Sequence, residues 1–217
     1  MNINKDLKKY IEDNIFIEYQ KNEEGHNLNH IKYVIDRSFK FAKEIPNINY
    51  NMVYVIASFH DIGHYIDAKK HEIVSASILE QDQNLKKYFN EEEIKIMKEA
   101  VEDHRASLNR EPRSIYGKIV STADRNNTVE DCLKRTYSYG REHNKELTDE
   151  ELFQRSYDVL VNKFGVNGYA KFYFKDLEYE KFLTKLRKLL ENKEEFCNTQ
   201  REYIKKIKKK ELLNHEV

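Results

Sequence analysis

The chain has 217 residues, of which 39% are apolar and 35% charged, a length that accommodates one good-sized core or two small ones. High charge with few apolar residues would suggest disorder if aromatics were scarce, but fifteen Tyr and eleven Phe bring large apolar areas on few side chains. Lys+Arg and Asp+Glu balance at 38 each, which excludes a whole-molecule field that would gather nucleic acid or an anionic membrane.

Cys132 and Cys197 lack the paired spacing of a zinc site and are too few for a disulfide framework, so reduced thiols and a cytoplasmic location are expected. The first residues, MNINKDLKKYIEDN, alternate charged and apolar residues without the apolar core of a leader, and the longest charge-free run, Ile45 to Phe59, is too short to span a bilayer. Nothing in the composition marks a boundary, so residues 1–217 are read as one domain with a helical extension over about 145–217.

Six Gly and two Pro punctuate the chain, and apolar residues recur at three and four between them, which predicts an all-α fold. Ile3, Leu7, Ile11 and Ile15 share one helical face, and Ile31, Val34, Ile35 and Ala42 mark a second helix that must stop near Pro46. Met52 to Phe59 is apolar nearly all round, the pattern of a central buried helix, and leads directly into His60 and Asp61. Asn90 with Glu93 and Thr148 with Glu151 have capping-box spacing, and Gly165 stands where the second of those helices would stop. Ser107 to Ser114, around Pro112, reads as a loop between a helix ending near His104 and another containing Ile115 to Cys132. The stripe Phe182, Leu186, Leu189, Leu190 continues into a lysine-rich end without breakers, and Lys205 to Lys210 reads as a solvated helix face.

Six of the eight histidines lie between positions 26 and 104. A helix through His60, Asp61 and His64 would turn all three to one side, at the rim of the core. A single His near an apolar face is more often a core residue bonded to a carbonyl, but a buried Asp directly after a buried His needs a cation, and no Lys or Arg lies nearby in the helix register.

The segments His26-Asn-Leu-Asn-His30-Ile-Lys-Tyr-Val34, Phe59-His60-Asp61-Ile62-Gly63 and Ser121-Thr122-Ala123-Asp124-Arg125 together resemble the ordered signature of the HD superfamily of metal-dependent phosphohydrolases. The resemblance covers about residues 26–130. It implies a helical bundle in which His30, His60, Asp61 and Asp124 hold a divalent ion, with Asp61 able to bridge to a second. His26 corresponds to a position one layer out from the metal in a nucleotide-hydrolysing branch. His71 and His104 fall where two-metal branches carry extra histidine ligands; the competing reading is a pair of solvent-facing histidines at helix ends. Where the binuclear phosphodiesterase branch has a lysine, this chain has His64, which makes it the candidate general acid or phosphate clamp beside Asp61.

Arg105, Arg113, Lys118 and Arg125 are candidate phosphate contacts, the alternative being surface charges paired with Glu102, Glu111 and Asp103. The expected cofactor is one or two divalent ions among Mn, Fe, Co, Ni, Zn and Mg, and the expected substrate a nucleotide or other small phosphate ester attacked by a metal-activated water. Two-iron oxygenase chemistry on the same scaffold and a non-catalytic nucleotide-sensing module are the alternatives. No nucleic acid or membrane partner is expected, and the oligomeric state, homodimer included, is left open.

Overall fold

The computed structural model describes residues 2–125 and 128–214. Ten α-helices and no strands occur among these residues, in keeping with the all-α expectation. The chain divides into two compact units, Met1–Arg125 with Lys171–Phe174, and Asn126–Ala170 with Lys175–Val217.

In the first unit, α1 (Lys5–Tyr10) runs into a wider turn at Ile11–Ile15, and Leu7, Ile11 and Ile15 of its apolar face are buried. A tight turn, Glu18–Lys21, follows, then α2 (Leu28–Ala42), α3 (Tyr50–Phe59), α4 (His71–Gln81), α5 (Glu91–Glu102) and α6 (Ile115–Ala123). The α2 helix stops four residues before Pro46. Asn27, Asn49, Asn90 and Ser114 cap the starts of α2, α3, α5 and α6 with side-chain oxygens, and Asn90 forms the expected capping box with Glu93.

Every residue of α3 from Met52 to Phe59 is buried, and α3 packs against α2, α5 and α6. Its central place follows from its having no polar stripe to leave in water. Truncating a wholly buried member such as Ile56 to alanine would cost about 2–5 kcal/mol. Phe172 and Phe174, from the segment Lys171–Phe174, lie against Phe41 of α2.

The α3 helix ends at Phe59, so the segment from His60 to Ile66 is not the helix that the His60–His64 spacing suggests. It is a series of tight turns, with Ile62, His64 and Ile66 each bonded to the carbonyl three residues back. Gly63 makes this path possible. A Cβ there would lie 2.6 Å from Val74 Cγ1 and 2.8 Å from the Ser75 nitrogen, and the Gly63 N–H donates to Ser75 Oγ at 2.9 Å. The turn is therefore pressed onto α4.

The second unit holds α7 (Val129–His143), α8 (Asp149–Phe164), α9 (Leu177–Leu190) and α10 (Lys193–Asn214). The helix expected from Ile115 to Cys132 is instead two, because Thr128 accepts from the Asp131 N–H and starts a new helix; Asn126 and Asn127, which that expectation included, lie outside the described residues. Likewise the run from Phe182 to the lysine-rich end is broken at Glu191–Asn192, where Asn192 Oδ1 accepts from the Glu195 N–H. Thr148 and Glu151 form their capping box, and Gly165 directly follows the last residue of α8. Ile204 is buried while Lys205, Lys206, Lys208 and Lys209 are exposed, as a solvated helix face requires. Cys132 and Cys197 are buried and unpaired, and burial pushes the Cys132 thiol up to about 12. No helix among the described residues is long and apolar enough to cross a membrane.

Candidate metal centre

All the expected ligand residues come from the first unit. His30 is in the first turn of α2, His60 and Asp61 follow α3, His71 opens α4, His104 lies two residues beyond α5, and Asp124 follows α6. Ligand atoms of His30, His60, Asp61 and Asp124 all lie within 4.8 Å of one another, and so do those of Asp61, His71 and His104.

Asp61 stands between the two groups. Its Oδ2 is 3.5 Å from His30 Nε2 and 3.4 Å from His60 Nε2, while its Oδ1 is 3.3 Å from His71 Nε2 and 3.4 Å from His104 Nε2. Asp124 Oδ1 closes the first group at 3.0 Å from His30 Nε2 and 3.9 Å from His60 Nε2. Two atoms that each bind one ion at about 2.0–2.2 Å are about 3–3.5 Å apart, so these separations fit a shared ion.

The hydrogen bonds on the far side of the rings say which nitrogens are free to bind. His60, His71 and His104 each have Nδ1 on a main-chain oxygen three residues back, of Ala57 at 2.9 Å, Ala68 at 3.0 Å and Val101 at 2.6 Å. A carbonyl only accepts, so Nδ1 carries a proton, and each ring in its neutral form presents an Nε2 lone pair to the site. His60 Nε2 and His30 Nε2 are buried without a hydrogen-bond partner. His71 Nε2 and His104 Nε2 face each other at 3.2 Å, two lone pairs that repel unless a proton or a cation lies beside them. His71 and His104 are buried, so they are not solvent-facing histidines.

The charges point the same way. Burial by itself would raise the carboxyl pKa of Asp61 and of Asp124; in both, the imidazoles around them outweigh it and hold the group well below the usual carboxylate range. Burial disfavours a charged His60, but the adjacent Asp61, then Asp124, push its pKa up to about 9. Burial and then the neighbouring His104 lower His71 to about 4, and burial lowers His30. One buried and one half-buried carboxylate among imidazole nitrogens form a donor set that suits a divalent cation.

A scan against protein families matches the HD domain over residues 27–127. Those residues, just under half of the chain, resemble an HD domain. Comparison with curated proteins and with solved structures finds no match. HD domains are the helical domains of a superfamily of metal-dependent phosphohydrolases, and the His/Asp cluster lies within the matched HD segment.

Around this centre His26 Nδ1 is 2.6 Å from Asp61 Oδ2. The His26 ring is stacked on His64 at 3.8 Å, and His64 Nδ1 is 3.5 Å from Glu23 Oε1. His64 is thus buried beside the expected ligand residues without belonging to either group. Arg125 is buried, donates to the His104 carbonyl and Ser121 Oγ, and has Nη1 3.8 Å from Asp124 Oδ2. Arg105 donates to the Lys69 carbonyl and to Glu72.

Arg113 and Lys118 are ion-paired, as their alternative reading has it. Arg113 donates to Asp103 and Glu102, and Lys118 is 2.9 Å from Glu111. Sequence reasoning missed Asn22, Glu23 and Ser75, whose partners between Asp61 and Tyr65 lie 12 to 43 residues away; only the glycine after His-Asp-Ile hinted at a close approach there.

Proposed function

We propose that the protein is a metal-dependent phosphohydrolase acting on a nucleotide or another small phosphate ester. The observation that carries this reading is the placement of Asp61, one carboxylate whose two oxygens face two separate sets of imidazole nitrogens. His30, His60, Asp61 and Asp124 would hold one divalent ion, and Asp61, His71 and His104 a second. A divalent cation held there supplies a Lewis acid that polarises a phosphoryl oxygen and lowers the pKa of a water.

The chain's own residues do the rest. The carbonyls of Ala57, Ala68 and Val101 keep three imidazoles in the tautomer that presents Nε2. His26 holds Asp61 Oδ2 from outside, which leaves His64, stacked on His26, to meet the phosphate or give a proton to the departing oxygen. Arg125 fixes the Asp124 end of the site to the His104 main chain.

The test is release of phosphate or pyrophosphate from a panel of nucleotides and phosphate esters by the purified chain with added Mn, Co or Mg. Activity should vanish on chelation and in Asp124→Ala. Phosphate release from no ester, together with dioxygen consumption by iron-loaded protein, would overturn the reading in favour of an oxygenase.

A further inference from the structure

We propose that Asn22 is a positioning residue of the metal centre, whose side-chain amide fixes the main chain of Asp61 and with it the carboxylate shared by the two histidine groups. The inference rests on the metal-binding reading above. Asn22 follows the turn Glu18–Lys21, is half-buried and has an extended backbone. Its Nδ2 donates to the Asp61 carbonyl at 2.9 Å and to the His26 carbonyl at 3.0 Å, and its Oδ1 accepts from the Tyr65 N–H at 3.0 Å. One side chain therefore joins the segment that carries His26, the turn that carries His60 and Asp61, and the residue after His64.

Asp61 needs such a clamp because the helical hydrogen-bond ladder of α3 stops before it. Beyond Phe59 the chain is held by isolated bonds, including His64 N–H to the Asp61 carbonyl at 3.0 Å. On one side Gly63 is tied to Ser75 of α4. On the other side the tie is Asn22. The turn that carries Asn22 is itself anchored, since Tyr19 is buried and its hydroxyl donates to the Ser58 carbonyl at 2.7 Å. Two donors on two carbonyls, with an acceptor for an N–H, form a set that among side chains only a primary amide offers. Sites of this kind need their ligands held to within about 0.5 Å, and a shared carboxylate transmits any displacement of its main chain to both groups.

Aspartate at position 22 would keep the acceptor for Tyr65 but lose both donors and set a carboxylate against two carbonyl oxygens. Alanine would remove all three bonds without adding charge. The experiment titrates chelator-treated full-length protein with Co²⁺, following visible absorption, for the parent, Asn22→Asp, Asn22→Ala and Asn22→Gln, with circular dichroism and thermal melts alongside. The expected result is cobalt affinity about 10–100-fold weaker in the Asp and Ala variants, with altered visible bands, unchanged helix content and partial recovery in Asn22→Gln. Should the Asp variant fail to fold, the Ala variant carries the same comparison. Lower melting temperature with the parent's cobalt affinity and spectrum would reduce Asn22 to a loop staple and overturn the proposal. A parent that binds no cobalt would instead refute the metal-binding reading beneath it.

Discussion

Arg105 lies 3.1 Å from the Glu72 carboxylate, and each is the residue directly after one of the two facing histidines, His104 and His71. The ion pair, with the Arg105 bond to the Lys69 carbonyl, straps the start of α4 to the end of α5 alongside the imidazole pair. A strap and a phosphate contact predict different things. If Arg105 is a strap, Arg105→Glu and Glu72→Arg should each lower the metal content of the His71–His104 group, and the double exchange should restore it. A phosphate contact would instead show as a raised KM that the exchange does not repair.

Metal uptake should release protons. In the metal-free protein His60 has a pKa near 9, so at pH 7 an ion that binds Nε2 must displace one. Affinity should therefore rise with pH and level off above about pH 9; titration calorimetry in two buffers of different ionisation enthalpy would count the protons. The same group sets a stability trend without metal. Its folded pKa lies above the unfolded value of about 6.5, so its contribution is fully present below that value and is lost as pH rises through about 9.

Removing a ligand should lower both metal content and thermal stability, since an ion that binds only the folded chain stabilises it by mass action. At an ion concentration a hundred times the dissociation constant the gain is about 2.7 kcal/mol. His60→Ala and Asp124→Ala should lose the metal-dependent part of the parent's melting temperature. Variants that kept it would refute the ligand assignment.

His64→Ala should keep the metal and lose turnover, and His64→Lys should keep the metal and recover part of the rate through a point charge on the phosphate. Metal analysis together with kcat decides this. Loss of metal in both variants would make His64 a ligand.

Arg113→Ala should act on stability and leave KM unchanged. Asp103 is wholly buried and takes bonds from the Arg113 main chain and guanidinium and from Arg110, so the variant leaves a buried carboxylate short of partners. A cost on the order of 1–3 kcal/mol in denaturant unfolding is expected, Arg110 retaining part of the compensation.

The parts of this arrangement that were legible in the sequence are those written in local spacing. Asn90 with Glu93 and Thr148 with Glu151 announce two helix starts, and the apolar run before His60 announces the buried centre. The clustering of histidines around Asp61 marked the candidate site, and the resemblance to the HD superfamily added Asp124. The path between His60 and Ile66 was not legible, because it depends on Gly63 meeting Val74 and Ser75 of another helix. Nor were the breaks at Thr128 and Asn192, where a short polar side chain inside a helical pattern turns to cap the next helix. Asn22 carried no signal, since its bonds to Asp61 and Tyr65 are set by tertiary folding.

The three bonds from imidazole Nδ1 to the carbonyls of Ala57, Ala68 and Val101 tie this centre to the architecture around it. Two of those carbonyls belong to the last turns of α3 and α5, where a helix runs out of internal donors, so the same proton that selects a ring's tautomer also finishes a helix. A descendant of this chain that gave up these histidines would therefore have to rebuild helix ends as well as neutralise Asp61 and Asp124. Loss of the imidazoles would need several coordinated substitutions before the fold recovered, a barrier that no single histidine could raise alone.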